Sequence, residues 1–357
     1  PGEEIYSLFG HTAIRYENSS QGIDVVFNYG LFSFNTPNFI FRFSLGETDY
    51  QLGATDYERF AAEYAFFGRS VWQQTLNLTD EEKTELIRLL QENYRPENRV
   101  YRYNFFYDNC ATRPRDKIEE SIAGKVIYPA EPQDGSLTFR DIVHQYCKGH
   151  PWARFGIDLC IGSEADQPIT QRQMMFAPFY LMDAFDGAQI KGDSIQRPLI
   201  TANELVVDAT PEPDESDWMP TPLQCSLLLF ILTAAATIYG IRRRTGLWGI
   251  DLFLFGIAGI VGCVLAFLAL FSQHPAVSSN FLLLVFHPGQ LLFLPYIIYC
   301  VRKGKKCWYL TLNLAVLTLF IVLFPVIPQR FDFAVVPLAL VLLIRSASNL
   351  IVTSKKK

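Results

Sequence analysis

The sequence predicts an α+β extracytoplasmic domain followed by an all-α bundle of five transmembrane helices. Three observations predict it. Half of the 357 residues are hydrophobic, and beyond Leu223 they collect in runs of about 20, the length that crosses a bilayer. The formal charge of −5 hides an asymmetry, because the chain from Leu223 onward holds 12 Lys/Arg against two acids, Asp251 and Asp332. That leaves 19 basic and 34 acidic residues before it, the pattern of a soluble body joined to a membrane part. Ahead of the apolar runs, the chain alternates hairpin, strand and helix-cap signals.

The soluble part is long enough to bury its own core, and nothing in it resembles the clustered basic footprint of a nucleic-acid partner. Thr12–Tyr16 and Val25–Tyr29 are aromatic and β-branched runs around the turn Asn18-Ser19-Ser20-Gln21-Gly22, a hairpin pattern. Thr79 with Glu82 forms a capping box, and Leu86, Ile87, Leu89 and Leu90 give the apolar face of a helix ending near Tyr94. Val100–Phe106 reads as a strand, and a helix is expected from about Cys110 to Ala123, closed by Gly124. The Pro-rich, acidic stretch 208–222 reads as a linker, which divides the chain into a domain over 1–207, the linker, and a membrane domain over 223–357. An exported domain needs an export signal, so one is expected ahead of Pro1.

The five spans are read at 223–241, 248–271, 280–301, 308–327 and 331–352. Basic clusters follow the first (Arg242-Arg243-Arg244), the third (Arg302 to Lys306) and the fifth (Lys355-Lys356-Lys357), whereas Ser272–Ser279 and Pro328–Arg330 hold only Arg330. Basic loops stay cytoplasmic, so the soluble domain is expected outside and the C-terminus inside. Trp218, Trp248 and Trp308 stand at span entrances, where indole prefers the interface. His287-Pro288-Gly289-Gln290 interrupts the third span, which makes His287 and Gln290 candidate substrate contacts or partners in a kink. Asp251 and Arg345 read as a structural ion pair or as snorkelling side chains.

Of the seven cysteines, Cys225, Cys263, Cys300 and Cys307 lie in or beside spans and read as small apolar residues. An oxidising compartment permits a Cys147–Cys160 disulfide, leaving Cys110 as the odd thiol. Cys110 is expected where a strand gives way to a helix, and a helix N-terminus stabilises thiolate. A thiol nucleophile needs a base. His11, at the start of the first hairpin strand, is rigidly placed, and a turn near Ser20 brings Asn28 and Tyr29 roughly opposite it. Residue chemistry alone leaves Cys110 open between a structural thiol and a nucleophile.

The stretch Pro1-Gly2-Glu3-Glu4-Ile5-Tyr6-Ser7-Leu8-Phe9-Gly10-His11-Thr12-Ala13 resembles the N-terminal signature of Lnb-type bacterial lipoprotein N-acyltransferases. So do Phe27-Asn28-Tyr29-Gly30, Gly68-Arg69-Ser70-Val71, Leu76-Asn77-Leu78-Thr79 and Tyr103-Asn104-Phe105-Phe106-Tyr107-Asp108-Asn109-Cys110. The His-before-Cys order is similar to circularly permuted papain-like folds, and the resemblance implies that fold for the soluble domain. It implies Cys110 as nucleophile and His11 as base; Asn28, placed by the hairpin where it could orient the imidazole, and Asn109 are read from the residues themselves as further candidates for the catalytic set. Tyr29, Arg113 and Arg115 are candidate substrate contacts. The implied reaction takes an acyl chain from a phospholipid, through a thioester, to the N-terminal amine of a diacylglyceryl lipoprotein at the bacterial inner membrane. No cofactor is expected, and oligomeric state is left open. The competing readings are a membrane-tethered cysteine hydrolase, whether cell-wall peptidase or phospholipase, and a non-enzymatic lipoprotein-binding protein.

Overall fold

The structure, a computed structural model, describes residues 7–32, 37–130, 137–192, 196–209 and 219–354. Pro1 to Tyr6 of the N-terminal signature, most of the expected linker, Trp218 and Lys355-Lys356-Lys357 lie outside the described residues. Two units result. One comprises Pro1–Tyr146, Pro168–Ser216 and Gln273–Pro275; the other comprises Cys147–Gln167, Asp217–Ser272 and Ala276–Lys357.

The first unit is α/β. Its elements begin with β1 (Ala13–Asn18), β2 (Ile23–Leu31), α1 (Phe39–Leu45), β3 (Asp49–Asp56), α2 (Tyr57–Phe66) and β4 (Val71–Leu76). They continue with α3 (Asp80–Tyr94), β5 (Val100–Arg102) and α4 (Thr112–Ser121). β1, β2, β3 and β5 form an antiparallel sheet in that order, with Ala13 opposite Asn28 and Tyr50 opposite Tyr101. The hairpin and the third helix lie where the sequence puts them. At Thr79 both bonds of the capping box are made: its hydroxyl accepts from Glu82 N–H and its own N–H donates to the Glu82 carboxylate. Leu86 and Leu90 of α3 and Ile118 of α4 join Ile14, Phe27, Tyr29, Leu52 and Tyr101 in one buried cluster. Each large side chain so buried contributes about 1.5–3 kcal/mol.

The strand expected over Val100–Phe106 is shorter. β5 stops at Arg102, and Asn104–Asp108 folds into a turn in which the two residues exchange backbone hydrogen bonds. That turn delivers Asn109 and Cys110 to the start of α4.

The second unit is helical. Pro222–Arg243, Trp248–Phe271 and Val335–Ser354 are each long and apolar enough to cross a membrane. Phe281–Leu292 and Leu294–Lys303 make a fourth span if their 74° bend is counted within one broken element. The predicted fourth run forms the helix Trp308–Leu323, only 16 residues. That is about 24 Å at 1.5 Å per residue, short of a bilayer core of about 30 Å, and Pro325 follows its end. All five apolar runs are therefore helical, and three or four meet the length of a span.

Cys147–Gln167 groups with these helices. Gly162 N–H donates to Ala276 O, the Asn280 amide to Leu159 O and the Gln329 amide to Ile161 O. This corrects the expected disulfide: Cys147 and Cys160 are free thiols. The helix Pro151–Cys160 lies between them in the chain.

Within the membrane unit Arg345 binds both carboxylate oxygens of Asp251, at 2.7 and 3.1 Å, and donates to Thr237. Gly262 faces the break in the third span, where a methyl group would fall 2.3 Å from His287 N; at Gly259 it would fall 2.5 Å from Leu291 N.

Candidate active site

Asn109 sets the position of the thiol. Its side-chain oxygen accepts from the N–H groups of Ala111 and Thr112, while its amide donates to Phe105 O and Phe176 O. Helix α4 is thus capped by a residue locked at four points, and Cys110 sits between that cap and the first turn. Asn109 is 3% exposed with its side-chain amide fully engaged within the protein.

The segment carrying His11 is fastened to the same loop. Phe9 packs edge-on against Phe105 at 4.9 Å and against Tyr146 at 5.5 Å. His11 Nε2 lies 3.1 Å from Asn28 Oδ1. Because that amide oxygen only accepts, Nε2 carries a hydrogen and Nδ1 is left for the Cys110 sulfur, to which the imidazole is hydrogen-bonded. The hairpin register creates this contact: Asn28 lies opposite Ala13, two residues beyond His11.

Gly30 makes the room. It lies at an irregularity in the β2–β3 pairing with φ +91°, and a methyl group there would touch the Cys110 Cβ at 3.4 Å. A side chain at residue 30 would meet both the unfavourable φ and the Cys110 Cβ.

The electrostatics favour an ion pair. Burial pushes the Cys110 thiol up, but the His11 charge, its hydrogen bond, and the N–H groups of Thr12 and Cys110 outweigh it, so the thiol ends below its ordinary value. His11 ends above its ordinary value: burial and the nearby Arg69 charge lower it, while Cys110 and Asn28 raise it further. Phenols ring the pair. Burial, with the Cys110 charge adding, pushes Tyr50 and Tyr64 up to about 12, and Tyr101 and Tyr103 also rise. Arg69 stands 4.8 Å from the Tyr64 ring centroid with its Nε buried and unpartnered.

An expected result follows for thiol reactivity. Wild-type Cys110 reacts with iodoacetamide at a pH below the ordinary thiol range. In His11→Gln the imidazole charge is gone, only the two backbone N–H groups still oppose burial, and the titration moves upward, so alkylation at pH 7 falls at least about tenfold. Superimposable pH profiles for the two proteins would dissolve the ion pair.

The other expected contacts are engaged as follows. Tyr29 is fully buried in the core and donates to Asn93. Arg113 binds Asp108 through two bonds of 2.6 and 2.7 Å and stacks on Tyr101. Arg115 is 5% exposed, held by Asp116 and Arg172 O. These three side chains are spent on structure. His287 lies in the membrane unit beside Tyr309 and Asn313, and Gln290 is buried there, donating to Val285 O. The sequence reading gave no role to Tyr101, Tyr64 or Arg69; the available signal was the Tyr-x-Tyr at 101 and 103 just ahead of the thiol, and the Gly-Arg-Ser-Val stretch.

Fold and site define a multi-pass membrane protein whose α/β domain holds a cysteine–histidine pair at a helix start. Two family models match the chain, one described as the Lnb N-terminal periplasmic domain over residues 1–144, the other as the Lnb transmembrane domain over residues 214–357. The chain belongs to the Lnb family, the Lnb-type lipoprotein N-acyltransferases, and is a multi-pass inner-membrane protein with a periplasmic N-terminal domain. No curated protein and no solved structure matches it.

Proposed function

We propose that this protein carries an acyl chain from a phospholipid, on Cys110, to the α-amino group of a lipoprotein's N-terminal diacylglyceryl-cysteine. The observation that carries the reading is the Cys110–His11 contact, aligned by Asn28, in a chain of this family. The Cys110 thiolate attacks the ester carbonyl. As the tetrahedral intermediate collapses, the C–O bond breaks and the lysophospholipid oxygen takes the proton from His11. The neutral amine of the acceptor then attacks the thioester, the C–S bond breaks, Cys110 leaves as thiolate, and His11 takes the amine proton. No ATP is needed, because the ester supplies the acyl potential. Arg69 offers a cation beside the pair to the phosphate of the donor.

The papain-like permuted arrangement, the division into domain, linker and membrane part, the count of five spans and a cytoplasmic C-terminus belong to the same reading. It is supported by helix beginning at the thiol, by helical structure in all five apolar runs, and by the basic loops after the first and third.

Incubating the purified protein with labelled phospholipid and no acceptor tests the first half. A hydroxylamine-sensitive acyl adduct is expected by intact mass on the wild type and not on Cys110→Ala. Adding a synthetic diacylated lipopeptide then moves the chain to its amine. Release of the label to water with no acylated lipopeptide would instead make the protein a phospholipase, and no adduct at all would end the thioester route.

A further inference from the structure

The Tyr101 hydroxyl is a buried donor with nothing to bind. The residue is 7% exposed and its oxygen has no hydrogen-bond partner among the described residues. A buried donor left without a partner is costly, and the Tyr101 ring is not free to turn away. The Arg113 guanidinium lies 3.5 Å over one face, the edge-on Tyr29 ring is 6.2 Å away, and the backbone is paired to Tyr50. Arg113 is itself clamped by Asp108, two residues before the nucleophile.

The hydroxyl stands beside the thiol. At Gly30 a methyl group would lie 3.4 Å from the Cys110 Cβ and 4.0 Å from the Tyr101 oxygen, so both atoms crowd one bare stretch of β2. Only a glycine leaves this gap open between nucleophile and phenol. When a thiolate attacks a carbonyl, charge develops on an oxygen bonded to the carbon next to sulfur, and a donor beside the thiol stabilises it.

We infer that Tyr101 is a catalytic residue: its hydroxyl donates to the acyl carbonyl oxygen as that oxygen becomes the oxyanion of the Cys110 adduct. The orphaned donor is then the price of a partner that arrives only with the reacting acyl group. Burial keeps the phenol protonated through the neutral range, as donation requires. This inference rests on acylation of Cys110 and goes beyond it by naming what stabilises the intermediate.

Tyr101→Phe in the full-length protein removes the hydroxyl alone, and two reactions of the same sulfur separate the possibilities. Iodoacetamide alkylates thiolate by displacement at a saturated carbon and forms no oxyanion; a p-nitrophenyl acyl ester acylates it through one. Tyr101→Phe is expected to keep the wild-type alkylation rate and pH profile and to melt no lower than wild type. Its burst of p-nitrophenolate slows about 100-fold. An unslowed burst overturns the inference, and so does an equal loss in both reactions, which would make Tyr101 a support for the thiol. Absence of any Cys110-dependent burst in the wild type overturns it as well. A wild type that bursts with the ester but takes no acyl group from phospholipid sinks the proposed donor and leaves Tyr101 decided by its own comparison.

Discussion

Cys110→Ser loses acyl-adduct formation and lipoprotein N-acylation by at least about 10⁴-fold. The serine hydroxyl keeps nearly the shape of the thiol, and the residue is only partly buried, so the fold changes by less than about 1 kcal/mol. What disappears is the anion. At this helix start the thiol is drawn below its ordinary value by His11 and by two backbone N–H groups; a hydroxyl starts several units higher, and the same neighbours cannot ionise it. Intact mass after incubation with labelled phospholipid reads the adduct, and the lipopeptide product reads the transfer. A serine variant that supports full lipoprotein maturation in cells would make the protein a binding partner instead of an enzyme.

Arg345→Ala is expected to destabilise the membrane unit by about 3–5 kcal/mol. Asp251 and Arg345 are 1% and 3% exposed, and the guanidinium satisfies both carboxylate oxygens and Thr237. Removing the arginine strands a carboxylate in an apolar interior, which costs far more than the pair contributes. Removing both charges is a different matter: Asp251→Asn with Arg345→Met recovers most of the loss, because no ion is left without its partner. Thermal unfolding in detergent micelles compares the three proteins. A single variant as stable as wild type would show that water reaches the carboxylate.

Much of this architecture can be read from the residues. Thr79 and Glu82 announce a helix start because the capping box is local chemistry, decided within four residues. The apolar runs announce themselves by length and by the charges that follow them. The interruption at His287-Pro288-Gly289 is visible too, since proline and glycine free backbone groups wherever they fall. The 74° bend that follows, between Phe281–Leu292 and Leu294–Lys303, is not, because the angle is fixed by what the two segments pack against.

The site was legible only in part. Cys110 and His11 are nearly 100 residues apart, and no local rule joins them; the resemblance named them, and hairpin register explains Asn28. Tyr29 shows how fine the distinction is. Neighbouring residues on a strand point to opposite faces, so Asn28 reaches His11 while Tyr29 turns into the core and bonds to Asn93. Asp116 adjoins Arg115 and Asp108 lies five residues before Arg113, which was a readable warning that their charges are used. The Tyr-x-Tyr at 101 and 103 marked Tyr101 only as aromatic, because an unpartnered hydroxyl is a property of the assembled interior and leaves no mark on spacing.

The bare backbone at Gly259 and Gly262 sets a boundary on how this chain can drift. Most lipid-facing leucines, isoleucines and phenylalanines of Trp248–Phe271 can interchange with little effect, since hydrocarbon accepts any of them. Position 262 admits no such exchange: the smallest added carbon would meet the peptide nitrogen of His287. The interrupted strand of chain would have to back away, opening its uncoiled amides to acyl tails that offer them no hydrogen bond. Evolution can therefore rewrite nearly the whole outer surface of this helix while two of its residues stay fixed as glycine.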